Sequence, residues 1–425
     1  MTHRAPLSAG LAVLALAAAI RLEAQAYRTF REEADAIRET ARLRVGPLRL
    51  QPLFRLSEAG YDSNVYFRPE GGGAEAVGDV TATLAPEVRA HWLVGSSLIL
   101  TATESPEYLF YAREKGQRAF SNNFSGGMRA LLLGRLSLAA DYHAYSHVRR
   151  GTSELDRRLR DTRTGGAARL FFETARGTAF GAAAAVDDIR FEDVAAGGGA
   201  GDPYARALDR RETSAAAELH YRVFTRSSLF AAAGWTRYAF ADPASAWRDA
   251  EAIEVRGGFR FPLTGRARGA VIAGWKSFRP DSPERRPFSG LVAASEVYVR
   301  LGRVAVTVGY DRDSAFSYNE TAYYYVDGRG RAALSLYLAP FLRLDGGVQY
   351  GTMAYPEAQT VWTEGGPVLV ARREDVQRTF SAGPVVRLAG SVGLGLTYNF
   401  YKRTSNAPGF DVRRNFAGAF LTYEF

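Results

Sequence analysis

The 425-residue chain has no cysteine, which excludes disulfides, thiolate metal sites and a thiol nucleophile. Lysine is almost missing: apart from Lys115, Lys276 and Lys402, the basic residues are arginine. Methionine is scarce at 3, against 22 tyrosines and 25 phenylalanines, a balance that suits strands better than helices. A formal charge of +9 would admit a nucleic-acid partner. However, no basic cluster with interleaved aromatics stands out and acids are interspersed throughout, so the charges read as solvated faces of both signs and no nucleic acid is expected. Beyond residue 26 there is also no apolar run long enough for a membrane-spanning helix.

What is present begins with an export signal. Met1 to Arg4 is positively charged, Leu7 to Ile20 is almost unbroken Leu, Ala, Val and Ile, and Ala24-Gln25-Ala26 supplies a small-x-small cleavage site. Residues 1–26 are read as a cleavable secretory signal; an N-terminal anchor helix is the alternative, and its apolar core is short for one. An exported chain with no spanning helix is periplasmic, secreted or a barrel.

Period-2 alternation then recurs along the chain. Val304, Val306, Val308 and Tyr310 alternate with Ala305, Thr307, Gly309 and Asp311; Leu342, Leu344, Gly346, Val348 and Tyr350 alternate with Arg343, Asp345, Gly347 and Gln349. In a strand such sets point to opposite sides, here one apolar and one polar. Eight tight turns, for example Leu133-Gly134-Arg135 and Leu301-Gly302-Arg303, alternate with nine longer polar connections, for example 191–209 and 356–373. The expected fold is all-β: an antiparallel transmembrane β-barrel of about 18 strands over residues 48–425, with 16 as the alternative, short periplasmic turns and longer extracellular loops. Closure removes the edges that so large a sheet would expose. The last strand alternates through Ala417, Ala419, Leu421 and Tyr423 to Phe425. Tyr423 and Phe425 are similar to the C-terminal assembly signal of outer-membrane proteins, although Phe420 stands where that pattern often has glycine. Aromatics near strand ends (Tyr108, Phe110, Tyr111, Tyr142, Tyr145, Trp235, Tyr238, Phe240, Tyr323, Tyr324 and Tyr325) are expected to form a girdle at the lipid boundary.

The run Gly46-Pro47-Leu48-Arg49-Leu50-Gln51-Pro52-Leu53-Phe54, followed by Gly60-Tyr61-Asp62-Ser63-Asn64-Val65-Tyr66, resembles the outer-membrane β-barrel porin family found beside exopolysaccharide gene clusters in Gram-negative bacteria. The resemblance covers residues 43–67 by motif and the mature chain by architecture. It implies a barrel in the outer membrane that acts as a porin or helps polysaccharide export, with export components as partners and no catalytic residues. Outer-membrane lipid, lipopolysaccharide and the barrel assembly machinery are the other expected partners.

Candidate chemistry is sparse. His143 and His147 lie four apart on one strand, roughly 13 Å, too far for one zinc. Asp62-Ser63-Asn64 is similar to the catalytic run of outer-membrane phospholipases, but Tyr61 stands where a histidine base would precede it. Gly71-Gly72-Gly73 and Gly197-Gly198-Gly199 open no helix of a βαβ unit. No catalytic, metal or cofactor residue is assigned. Residues 27–47 form a periplasmic segment, either a helix with Phe30, Ala34, Ile37 and Ala41 on one face or a disordered linker.

The sharpest functional expectation concerns the lumen. The alternation turns Arg89, Arg129, Arg169, Arg222, Arg260, Arg300, Arg343 and Arg387 inward, each within a few residues of a tight turn. Glu87, Asp141, Glu218, Glu254, Glu296 and Asp345 also face inward, mostly further from the turns. An arginine collar under an acidic belt would filter anionic solutes or acidic glycans. Alternatively, the charges pair across strands and hold the wall together. Glu32, Glu33, Asp35 and Glu39 could dock on the collar as a partial plug. Three functions follow: a channel for polar or anionic solutes or exported polysaccharide, a structural or display barrel with a blocked lumen, and, least supported, a barrel enzyme acting on lipid or lipopolysaccharide.

Overall fold

The computed structural model describes residues 29–424 apart from 72–74, 151–153, 155–157, 175–176, 194–202, 225–226, 265, 320–321, 364–365 and 389–390. Residues 1–26, read above as a signal, and Phe425 lie outside the described residues.

Eighteen antiparallel strands form one closed wall. They are β1 (Leu48–Asp62), β2 (Asp79–Val94), β3 (Leu98–Tyr111), β4 (Ala119–Leu132), β5 (Leu136–Arg149) and β6 (Leu159–Glu173). Next come β7 (Thr178–Asp193), β8 (Arg210–Arg222), β9 (Ser228–Phe240), β10 (Ala250–Thr264), β11 (Ala267–Pro280) and β12 (Phe288–Leu301). The last six are β13 (Val304–Phe316), β14 (Tyr324–Tyr337), β15 (Leu342–Ala354), β16 (Glu374–Leu388), β17 (Val392–Ser405) and β18 (Val412–Glu424). Each pairs with its neighbours in sequence, and β18 returns to β1 from Leu53↔Glu424 to Asp62↔Phe416. The closing seam carries a bulge at Ser57 and Glu58, where Glu58 takes a φ of 52°. No described helix is long and apolar enough to cross a membrane.

This strictly neighbouring topology puts the eight tight turns on one rim and the longer connections on the other, with both barrel ends on the turn rim. A strand of 13 residues, the shortest here, covers about 33 Å at a 40° tilt, more than the ~25 Å apolar band of such barrels. Strand tips therefore stand in water on both sides. The outward face is apolar: Trp92, Tyr221, Val271, Val308, Leu334, Val348 and Leu396 are all exposed. With lipid as solvent, that face needs no protein cover, while the backbone of each strand pairs with the strands on either side.

The girdle expectation needs correction. Tyr108, Phe110, Tyr142 and Trp235 do face outward and are exposed. Tyr111, Tyr238, Phe240, Tyr323, Tyr324 and Tyr325 are buried inside instead, and Tyr145 stacks on lumen-facing His143. Tyr238 lies three residues beyond Trp235, an odd step, so the pleat sends it to the opposite face.

Residues Phe30–Thr40 form helix α1. Thr29 and Glu32 close its N-terminus reciprocally, Thr29 N–H donating to Glu32 Oε2 at 2.9 Å and Glu32 N–H to Thr29 Oγ1 at 3.2 Å. After the helix, Leu43–Val45 pairs with Leu48–Leu50 across a turn in which Gly46 adopts a φ of 57°, a region that favours glycine. This short strand covers the part of β1 that lies beyond the end of β18.

Candidate functional site: the lumen and its two ends

At the turn rim the lumen holds α1. Its apolar stripe, Phe30, Ala34 and Ile37, is buried against Leu93 of β2, Ile99 of β3 and Leu131 of β4. Two carboxylates fix it sideways: Glu33 pairs with Arg129 of β4, and Glu32 pairs with Arg222 of β8 at 3.0 Å. The helix thus reaches wall strands far apart in the sheet, which only a position inside the barrel allows. Burial alone would raise the Glu32 carboxyl, but the Thr29 hydrogen bonds and the Arg222 guanidinium outweigh it, and the group sits below its ordinary range. Below the helix, Arg42 donates to the Glu424 carbonyl and carboxylate at 2.8 Å each, tying the segment to the last strand. Asp35 pairs with Arg38 on α1 itself.

All eight collar arginines lie on the lumen face in the turn-proximal half, but they do not form a ring of like function. Arg129 and Arg222 hold α1. Arg89 pairs with Glu87 at 2.9 Å and Arg343 with Asp345 at 2.7 Å. Arg260 is buried with its guanidinium 4.3 Å from the Phe230 ring, and Arg300 lies 4.5 Å from the Tyr337 ring. Among the described residues, Arg169, Arg300 and Arg387 make no ion pair. The acids likewise do not form a separate belt: Asp345 sits two residues from Arg343, Glu254 pairs with Arg256, and Glu296 with Arg331. Arg331 also meets Asp311, and all three side chains of this group are 39–47% exposed, so this stretch of the inner wall is wet.

The loop rim is filled by a network that sequence alternation could not reveal. The connection between β13 and β14 folds into the lumen and is its keystone. Tyr323 and Tyr324 join Tyr238, Phe278, Phe288 and partly buried Phe316 in one aromatic core. The Tyr323 hydroxyl donates to the carbonyls of Arg248 at 3.0 Å and Asp249 at 3.2 Å. Arg248 donates to the Ser317 carbonyl, and the Tyr204 hydroxyl to the Tyr318 carbonyl. Glu154 accepts from Ser317 Oγ at 2.5 Å and from Tyr318 N–H at 2.9 Å. Three other connections therefore converge on Ser317, Tyr318 and Tyr323. Burial pushes the Glu154 carboxyl up, despite those hydrogen bonds, and lowers Arg248 to about 10. Burial likewise raises the Tyr318 and Tyr323 hydroxyls. A cavity of about 10 Å³, room for one water, remains beside Arg210, Glu212, Tyr238, Lys276 and Tyr324.

On another side of the same rim, the connection 355–373 carries a two-stranded hairpin, Gln359–Thr363 with Gly366–Val370. Its return positions Arg373, fully buried, bidentate on Asp375 at 2.9 and 2.6 Å and 3.6 Å from the Phe410 ring. The histidines are structural in their partners: His143 meets Asp187 at 2.6 Å, and His147 meets Asn123. Tyr145 lies between their rings. Among the described residues no cluster of His, Asp or Glu could hold a metal. Asp62 of the Asp-Ser-Asn run is committed to Arg414 at 2.6 Å.

Set beside known proteins, residues 39–425 match the family model described as "Putative beta-barrel porin 2". No curated protein matches the chain. Among solved structures, the chain is similar to a BenF-like porin from Pseudomonas fluorescens Pf-5, with 12% identity over 90% of this chain and 99% of that one, at a TM-score of 0.51. It is also similar to OpdO from Pseudomonas aeruginosa, with 13% identity, 90% and 98% coverage and a TM-score of 0.49. A third likeness is to the FrpB iron transporter from Neisseria meningitidis, at 8% identity and a TM-score of 0.46. Of that transporter the chain spans 62% of the length, while 84% of this chain is covered. At these identities the likeness is one of fold.

Proposed function

The chain belongs to this β-barrel porin family of the outer membrane, and on that premise we propose that it is a gated channel for anionic polar solutes, with α1 as its periplasmic plug. The observation that carries the reading is the seat of α1: two carboxylates of the N-terminal helix occupy Arg129 and Arg222 in the mouth of the lumen. Groups that hold a carboxylate of the chain itself can hold a carboxylate of a solute once the helix leaves, and arginine suits this because its charge is permanent and its fork bidentate. The wet charges of Glu296, Asp311 and Arg331 continue a polar path along the wall. An exported acidic glycan would meet the same chemistry.

A second reading, a display barrel with a permanently blocked lumen, is favoured by the packed loop rim around Tyr323 and Glu154. Planar-bilayer recordings separate the two. The channel reading expects anion-preferring conductance, and the variant carrying Arg129→Gln, Arg222→Gln, Arg300→Gln and Arg343→Gln should shift the reversal potential toward no preference. An unchanged preference in an open channel would remove these arginines from the functional account, and no conductance under any condition would favour the display barrel.

A further inference from the structure

On the outer wall, three cations stand side by side on adjacent strands. Arg378 of β16 is the direct cross-strand partner of Lys402 of β17, and Lys402 is the partner of Arg413 of β18. They share the outward face with exposed Phe380, Leu396 and Tyr398. Like charges directly opposite on neighbouring strands destabilise a sheet, and here this occurs twice in succession. Among the described residues none of the three makes an ion pair. The nearest acids along the chain are Glu374, four residues from Arg378 and roughly 13 Å away, and Asp411, two residues before Arg413, whose carboxylate accepts from Ser405 N–H at 2.8 Å.

Two other outward arginines on this rim are held by acids. Outward Arg211 is held by both oxygens of Asp188 at 2.8 and 2.9 Å, and Arg237 by both oxygens of Asp281 at 2.8 and 2.6 Å. What sets the triplet apart is that three cations stand directly opposite one another on adjacent strands, with no acid in the row. Its position is also specific. Toward the turn rim the same face is apolar through Phe380, Leu394, Leu396 and Leu421, so the cations stand where the apolar band ends on the loop side. Tyr350 pairs directly across from Arg378, and the Arg413 guanidinium lies 5.6 Å from the Phe400 ring.

We propose that Arg378, Lys402 and Arg413 form a site for the phosphate of a phosphorylated glycolipid in the outer leaflet. The site faces lipid and not the lumen, so its anion arrives laterally in the membrane. A phosphate offers oxygens to two guanidinium forks and one ammonium at once, which relieves the repulsion built into the register. The rings of Tyr350 and Phe400 flank the site with apolar surface for the sugar and upper acyl chain. The assignment rests on the loop rim facing the cell exterior.

Binding of bisphosphorylated lipid A to the detergent-solubilised full chain tests this. Loss of about 1 kcal/mol per cation predicts about a hundredfold weaker binding for the triple variant R378Q/K402Q/R413Q. The single variant K402Q should lose about fivefold, and it keeps the test valid if the triple variant folds poorly. Heat-modifiable migration checks the fold of each. Lipid A stripped of both phosphates should bind wild type and variants alike. Equal affinity of wild type and folded variants for the phosphorylated lipid would overturn the proposal. Competition by inorganic phosphate at the lipid's own concentration would overturn the lipid assignment in favour of a general anion site.

Discussion

Single side chains in this barrel act as ties between parts far apart in sequence. Glu32 is the clearest titrating tie. Its folded pKa lies below the ordinary carboxylate value of 4.5, so its contribution to seating α1 is fully present above that value and is lost as pH falls through the lowered one. Acidification from about pH 7 to about pH 3 should therefore loosen α1, read as faster proteolysis of the N-terminal segment with the barrel intact, and E32Q should remove much of the difference. A pH response identical in E32Q and wild type would assign it elsewhere. Tyr323 ties the loop rim. Tyr323→Phe leaves two buried carbonyls without their donor, a cost of about 1 kcal/mol, whereas Tyr323→Ala also empties an aromatic core at a cost of about 3–5 kcal/mol. Protease access to the β13–β14 connection should rise modestly in the first variant and strongly in the second. Inward placement of the eight arginines was legible from strand parity alone. Which of them would grip the helix, a carboxylate or an aromatic ring was not, because that depends on which strands the helix reaches.

Among elements, α1 and the β13–β14 connection are the two that pack inside the barrel at its opposite ends. The helical spacing of Phe30, Ala34 and Ile37 was visible in sequence, but spacing alone leaves helix and linker open. The structure supplies what decides it: an apolar floor of Leu93, Ile99 and Leu131 that a linker could not use. Ile37→Asp should unseat α1 by burying a charge on that floor. Cleavage of the N-terminal segment should then become as rapid as that of an unfolded tail, and unaltered protection would show that the stripe does not hold it. The β13–β14 connection was unreadable for a physical reason. Its tyrosines look like girdle residues in sequence, since a ring facing lipid and a ring facing a packed loop need the same apolar surface.

For the whole molecule, connection lengths carried the topology. Short and long connections alternate because neighbouring antiparallel strands can be joined tightly on one side while the other carries the loops that do the work. The lack of cysteine makes the resulting orientation directly testable. Single cysteines placed at Gly134 or Gly302 should be protected from a membrane-impermeant maleimide on intact cells, and one at Ser282 should be labelled. Labelling of either turn position would invert the assignment of the rims. The signal for the fold was strong because membrane and pleat act on every strand alike; the plugs depend on a few contacts made once.

The central claim is that α1 closes the periplasmic mouth of a channel. Single-channel conductance of the purified barrel with and without residues 27–45 measures it most directly. The account predicts low or flickering conductance for the full mature chain and a sustained, higher, anion-preferring level when the segment is removed. Equal conductance and gating for the two proteins would contradict it.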